Sequence, residues 1–310
     1  MTKQEMPKIG LALGSGSARG WSHIGVIKAL AEIGIEPDII SGCSIGSVVG
    51  AAYVSGRLEQ FEEWVRSLTR MDVARFFELD FSLSGFIDIE RLQGFFDDYV
   101  MDGQSQIESL DKTFAAVATD LENGREIWFT EGSIKEAIWA SIALPGIFPP
   151  VRHQNRWLVD GGLVNPVPVS ICRALGAEVV IAVNLNGDIV GKHFTRIDPD
   201  KQIETAVEEN SLKANISKTL RDYSSALFPT KDKEDTPRPP GIFEALAGSI
   251  NITQDRITRS RMAGDPPDFL LTPKLSKIGL LEFYRAEEAI HEGEACVLRQ
   301  KEQFINYLNL

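Results

Sequence analysis

The sequence predicts an α/β fold, in which a largely parallel sheet carries helices on both faces. Short apolar runs alternate along the chain with segments whose apolar residues recur at helical spacing. This alternation is typical of parallel strands joined by crossover helices. The chain has 310 residues, of which 43% are apolar and 25% charged, so it can bury the core of an ordinary globular domain.

The first strand is predicted at Lys8–Leu13, and a helix over about Trp21–Ile33 is expected to stop at Gly34. A loop of small residues between them presents unpaired backbone N–H groups, which can bind a phosphate or stabilise an oxyanion. A dinucleotide-binding G-x-G-x-x-G pattern is disfavoured because Arg19 stands where its third glycine belongs, and a plain tight turn is the other alternative. The loop consists of Gly14, Ser15, Gly16, Ser17, Ala18, Arg19 and Gly20.

A G-x-S-x-G motif follows the second predicted strand, with Ser44 at its centre between Gly42 and Gly46. Small apolar residues over 45–54 favour a helix directly after it. A strand, a sharp turn and a helix form the setting of a nucleophile elbow, although the motif also arises by chance in turns. Residues 39–56 carry no charge, but their glycines and serines favour a close-packed core helix over a membrane span.

The middle of the chain continues the alternation after a helix predicted over Leu58–Leu68. Asp88 can cap a further helix in a segment rich in phenylalanine, which suits either an acyl-chain pocket or cover, or an ordinary core. These phenylalanines are Phe76, Phe77, Phe81, Phe86, Phe95 and Phe96. The elements predicted next are the strands Thr113–Thr119 and Glu126–Thr130, the helix Ser133–Ser141, and the strand Arg156–Val159, which ends in Asp160-Gly161-Gly162.

The last third of the chain is predicted to return to the sheet after an interruption. A helix opened by Asn165-Pro166 leads to a buried strand at Glu178–Asn184. Charged and proline-rich stretches then precede a strand near 267–272 and a long closing helix over Leu281–Asn309. We therefore expect a single domain with a catalytic core of about residues 8–185, a helical insertion of about 200–262, and a C-terminal strand and helix within 267–310.

Composition excludes several classes of function. The chain carries 44 acidic and 32 basic residues, and the net charge of −12 argues against nucleic acid as a partner and against simple electrostatic docking on anionic membranes. The first residues contain no apolar stretch of the kind found in a secretory signal. Three scattered cysteines and four histidines without metal-ligand spacing predict neither a disulfide framework nor a metal site. A cytoplasmic location is expected by default.

Together, the motifs resemble the patatin-like phospholipase family, most closely its bacterial RssA-type branch. The resemblance covers most of residues 8–184 in the family's order and continues in a C-terminal stretch, PDFLLTPKL...LLEFYRAEEAI. It implies a three-layer α/β/α fold with a largely parallel central sheet and a C-terminal helical extension. The stretches that carry it are IGLALGSGSARGWSHIGVIKAL, GCSIGSVVGAAY, ASIALPGIFPPV and LVDGGLVNPVPVSICRALGAEVVIAV.

The resemblance also implies a mechanism without a metal or cofactor. Ser44 would be the nucleophile and Asp160 the proton acceptor, cleaving phospholipid, lysophospholipid or another acyl ester through an acyl-enzyme. The oxyanion would be held by N–H groups around Gly16 and Ser17. Serines at 15 and 17 depart from the family's usual run of glycines, and would be strained at positive φ. The residues implied are the oxyanion loop Gly14, Ser15, Gly16, Ser17, Arg19 and Gly20, and the turn Asp160, Gly161 and Gly162.

Two alternatives stay open at this point. A patatin-fold protein with little or no turnover could serve as a regulatory or lipid-sensing partner. A hydrolase with a histidine base would use His193 or His291 by chain order, whereas His23 and His153 suit structural roles. Peripheral membrane contact and a homo-oligomer are both compatible with the sequence.

Overall fold

The computed structural model describes residues 6–76, 94–189 and 242–310. Eight strands within these ranges form one sheet in the order β5-β6-β3-β2-β1-β7-β8, and β4 pairs with β3 beside this path. The strands are β1 (Ile9–Leu13), β2 (Ile39–Cys43), β3 (Thr113–Asp120), β4 (Glu126–Phe129), β5 (Val151–His153), β6 (Arg156–Asp160), β7 (Val179–Val183) and β8 (Phe269–Leu271).

The centre of the sheet is parallel, as predicted. β3, β2, β1, β7 and β8 run in one direction, whereas β4 and β6 are antiparallel to β3, and β5 is antiparallel to β6. Every residue of β1, β2 and β7 is buried, because helices cover both faces of the sheet. The predicted α/β fold with a largely parallel sheet is therefore confirmed.

The helices form two layers around the sheet. Alternate residues of β1 face the two layers. Leu11 and Leu13 pack into a large core with the helices Ser22–Glu32 (α1) and Ala286–Leu298 (α8), whereas Ala12 packs on the other face against Cys172 of the helix Val169–Ala174 (α6). The helices are α1 (Ser22–Glu32), α2 (Ile45–Val54), α3 (Leu58–Ser67), α4 (Arg70–Phe76), α5 (Ile134–Ile142), α6 (Val169–Ala174), α7 (Ile242–Gly264), α8 (Ala286–Leu298) and α9 (Lys301–Leu308).

The C-terminal helix differs from the single helix predicted over Leu281–Asn309. A 3₁₀ turn at Phe283–Arg285 precedes α8, and the chain breaks again before α9. At this break the side chain of Gln300 donates to the carbonyl of Leu270, and Phe304 stacks on Phe269 with ring centroids 4.3 Å apart. Packing against β8 therefore turns the last helix, and no glycine or proline marks that turn.

Some predicted elements lie outside the described residues. These include the helix start at Asp88, the phenylalanines at 77, 81 and 86, and the insertion up to residue 241. The helix predicted over Gly241–Met262 corresponds to α7. None of the helices in the described ranges is long and apolar enough to cross a membrane.

Candidate active site

Ser44 occupies a sharp turn between β2 and α2. Its backbone has φ 54° and ψ −124°, a combination that L residues rarely adopt and that stores strain at functional sites. The turn needs glycine on both sides: a Cβ on Gly46 would lie 2.2 Å from the carbonyl oxygen of Leu13, and one on Gly42 would lie 2.4 Å from Cα of Ser47. Close contact between strand and helix therefore forces the serine into this conformation.

Asp160 reaches the same point from the opposite direction. β4 occupies one edge of β3 from Ala116 to Thr119, so β2 and β6 share the other edge. β2 runs along that edge until Cys43 pairs with Val117, and β6 begins its pairing there with Asp160 opposite Ala118. The C-terminal ends of two strands thus meet head-on, which brings together two residues that are 116 positions apart.

The two side chains are directly hydrogen-bonded. Ser44 Oγ donates to Asp160 Oδ2 at 2.5 Å, and Asp160 Oδ1 accepts from the N–H of Gly162 at 2.7 Å. The N–H of Ser44 donates to Oγ of Ser141 at 2.8 Å. Asp160 is 1% exposed, and this burial raises its pKa to about 6, although the bonds from Ser44 and Gly162 act to lower it.

None of the histidines in the described part of the chain is hydrogen-bonded to this pair. His23 is buried on α1, where its Nε2 lies 2.8 Å from the carbonyl oxygen of Gly14 and burial lowers its pKa to about 4. His153 on β5 lies 2.8 Å from Glu136, and His291 is exposed on α8. His193 lies outside the described residues. The same described ranges contain no cluster of side chains that could hold a metal ion.

The glycine-rich loop after β1 lies beside Ser44, but most of its N–H groups are already used. Gly14 donates to the carbonyl of Val183 and Ser15 to that of Pro166. Arg19 donates to Gly16, within the loop itself. The N–H groups of Gly16 and Ser17 have no acceptor among the described residues.

Ser17 departs from ordinary backbone geometry in this loop. Its φ is 54°, so a serine stands at a position that favours glycine, as the departure from the family pattern had suggested. The C-terminal segment holds it there: the carbonyl of Leu280 accepts from Ser17 Oγ at 2.6 Å and from the N–H of Ala18 at 3.1 Å. Two hydrogen bonds from a distant part of the chain thus stabilise the strained residue.

Sequence reasoning missed a buried polar network beneath the loop. Arg19 is 1% exposed and donates to Asn186 and, from its other terminal nitrogen, to Asn251 on α7. Burial lowers its pKa to about 9. Asn186 in turn donates to Gln254, which also contacts Ser15. No local motif marks these amides, because a lone Asn or Gln is common on any helix or loop.

A cavity with mostly apolar walls opens next to the Ser44–Asp160 pair. Its lining includes aliphatic residues of α2, α4 and α7, among them Val48, Val73 and Ile250, and the loop residues Leu144 and Ile147. The polar residues in the lining are the loop serines Ser15 and Ser17 and Gln254, besides Ser44 and Asp160. The aromatic residues that line it, including two of the phenylalanines that the sequence singled out, are Trp21, Trp64, Phe95, Phe96, Phe148 and Phe283.

Comparison with known proteins relates the chain to patatin-like phospholipases and to NTE family proteins. A sequence model described as patatin-like phospholipase matches residues 11–173, more than half of the chain. Uncharacterized NTE family proteins of Mycobacterium tuberculosis and Mycobacterium bovis are each 34% identical over 96% of this chain and 92% of their own length. Lysophospholipase NTE1 of Pyricularia oryzae is 29% identical over 92% of this chain, which spans only 18% of that longer protein.

Proposed function

The chain belongs to the patatin-like phospholipase family, and on that premise we propose that it hydrolyses the carboxylic ester bonds of phospholipids, lysophospholipids or related acyl esters through Ser44 and Asp160. Membership of this family makes the chain a hydrolase. The fungal relatives are named lysophospholipases, which supports a lipid acyl ester as the substrate. Within the family, we propose that it is nearest to the RssA-type branch, on the motifs quoted above.

The observation that carries the proposal is the 2.5 Å hydrogen bond from Ser44 Oγ to Asp160 Oδ2 in a buried setting. An exposed aspartate, with a pKa near 3.8, is a weak base for a serine hydroxyl, whereas the raised pKa of about 6 improves Asp160 as an acceptor. Its second oxygen is held by the N–H of Gly162, so the carboxylate points at the hydroxyl in a fixed orientation.

The reaction would proceed in two stages. Asp160 takes the proton of Ser44 as Oγ attacks the ester carbonyl, and then gives it to the departing alcohol, which leaves an acyl-enzyme. Asp160 next removes a proton from water as the water attacks the acyl carbonyl, and it returns that proton to Oγ of Ser44 when the bond between Oγ and the acyl carbon breaks and the fatty acid leaves. Both tetrahedral intermediates carry a negative oxygen that needs nearby donors.

We assign those donors to Gly16 and Ser17. The sequence predicted a broader set of donors over Gly14–Gly20. We restrict it to these two residues because Gly14, Ser15 and Arg19 already donate their N–H groups elsewhere and Gly20 lies inside the 3₁₀ turn Ser17–Trp21. Removing one donor of this kind typically slows an acyl transfer by about 10²–10³-fold. The apolar cavity beside them suits the acyl chain of the substrate, since it offers van der Waals contact and few competing polar groups.

The test uses p-nitrophenyl esters of short and medium chain length with the full chain, together with fluorophosphonate labelling of the nucleophile. We expect Ser44→Ala to abolish both signals. Asp160→Asn should reduce turnover by at least about 10²-fold, because an amide nitrogen cannot accept the serine proton. His291→Ala, on the exposed face of α8, is the matched control and should retain full activity.

Two results would contradict the proposal. Activity that survives in Asp160→Asn but disappears in His291→Ala would refute the Ser-Asp pair. A folded wild-type chain that neither turns over esters nor reacts with fluorophosphonate would favour the alternative of a lipid-sensing protein with little or no turnover.

A further inference from the structure

We infer that Gln254 is a positioning residue that fixes the glycine-rich loop and the Asp160-Gly161-Gly162 turn relative to each other on either side of Ser44. This inference rests on the proposed acyl hydrolysis and concerns how that site is kept in shape. Gln254 belongs to α7, outside residues 11–173 that match the family's sequence model. It lines the cavity but is only 4% exposed.

The contacts of Gln254 reach both loops. Its Nε2 lies 3.2 Å from Oγ of Ser15, and its Oε1 accepts from Nδ2 of Asn186 at 2.9 Å. A Cβ on Gly162 would lie 2.4 Å from Nε2 of Gln254 and 2.9 Å from Oδ1 of Asp160. The amide therefore fills the space that Gly162 leaves open, directly beside the carboxylate.

Other members of the network hold the amide in place. Asn186 donates to the carbonyl of Ser15 at 3.4 Å as well as to Gln254, and its own N–H donates to Asn184. Arg19 donates to Asn186 and Asn251, which ties the loop, the segment after β7 and α7 together. Since each of these groups is buried, a partner lost here leaves an unsatisfied polar atom and a shift of the loops it joined.

The consequence for catalysis is geometric. The donors of Gly16 and Ser17 come from one loop and Asp160 from another, so their separation depends on what joins the two. A misplacement of about 1 Å in a catalytic constellation can cost about 10²-fold in rate. Gln254 touches both loops from the cavity side. Ser15 also lies close to the second loop, since a Cβ on Gly162 would lie 3.0 Å from its Oγ, and the hydrogen bond from Gln254 holds that hydroxyl from the side of α7. No other described residue of α7 contacts Ser15 by a hydrogen bond.

The test uses two substitutions of Gln254, to Met and to Glu, that change its hydrogen bonding but keep the length of the side chain. Gln254→Met keeps the length but cannot bond to Ser15 or Asn186, so we expect kcat for p-nitrophenyl butyrate to fall about tenfold or more. KM should stay within about twofold, and fluorophosphonate labelling of Ser44 should slow in parallel. Gln300→Met, the same change at the break before α9, is the matched control and should leave both rates unchanged.

Gln254→Glu distinguishes positioning from a purely structural role, because a change in fold stability alone would not shift the pH–rate profile. A glutamate can still accept from Asn186 and from the Ser15 hydroxyl, so kcat at its plateau should fall less than in Gln254→Met. Its carboxyl group would stand beside Asp160, so the acid limb of the pH–rate profile should move to higher pH. The other charged side chain of the network is Arg19, which is unchanged in both variants.

The following results would overturn the positioning role of Gln254. Wild-type rates in Gln254→Met would overturn the inference, as would a Gln254→Glu variant that is as slow as Gln254→Met with an unmoved acid limb. If Gln254→Met does not fold, which thermal unfolding reports, the pH profile of Gln254→Glu decides alone. Absence of Ser44-dependent turnover and labelling in the wild-type chain would overturn the proposed function and this inference with it.

Discussion

Replacing Asp160 by asparagine is expected to stabilise the fold while it stops hydrolysis. Burial raises the pKa of Asp160 from 3.8 to about 6, so the ionised carboxylate is less favourable in the folded protein than in the unfolded chain. Two pKa units at 1.36 kcal/mol each give a cost of about 3 kcal/mol above pH 6. The cost declines as pH falls from about 6 to below 4, where both states hold the proton.

Asparagine has the size of the protonated acid and can keep the bond from Gly162. We therefore expect the free energy of unfolding of Asp160→Asn to exceed that of wild type by up to about 3 kcal/mol at pH 8, and by only about 0.5 kcal/mol at pH 4. Urea unfolding at the two pH values measures both differences. Ser44→Ala is the control, since we expect it to be inactive as well but it retains the carboxylate.

A cost of the buried charge is excluded if Asp160→Asn is no more stable than wild type at pH 8, or if its gain in the free energy of unfolding is the same at both pH values. A stability gain of the same size in Ser44→Ala would show that loss of the serine, rather than of the charge, is responsible. Confirmation would show that the fold retains a destabilising buried charge at the point where the proposed reaction needs a base.

Two further predictions concern the backbone and the acid side of the stability profile. Ser44→Gly should be about 1–3 kcal/mol more stable than Ser44→Ala in urea unfolding, because glycine adopts φ 54° and ψ −124° without strain; equal stabilities would argue against strain at the elbow. His23 has a folded-state pKa of about 4 against 6.5 for an ordinary histidine, so as pH falls through 6.5 the unfolded chain takes up a proton that the folded protein refuses. His23→Gln can still donate to Gly14 and does not titrate. Its free energy of unfolding should therefore fall by about 3 kcal/mol less than that of wild type between pH 7 and pH 4; an equal fall in both proteins would contradict this.

Local patterns in the sequence predicted much of the architecture. The strand, turn and helix around Ser44 and the parallel sheet follow from apolar runs, helical periodicity and glycine placement over ten or twenty residues. These signals are local because a strand, a sharp turn and the first turn of a helix are made by neighbouring residues. The break before α9 was missed for the same reason, since the contact of Phe304 with Phe269 decides it and no breaker residue marks it.

The sequence alone therefore determines that a serine elbow follows the second strand, and the resemblance to a family suggests Asp160 as its partner. Tertiary structure decides how they meet, because β2 and β6 come to share one edge of β3. It also decides which N–H groups of the glycine-rich loop stay unbonded, and it brings Gln254 to Ser15 from 239 residues away. Such contacts depend on how distant elements pack, and packing leaves no signature in a short stretch of chain.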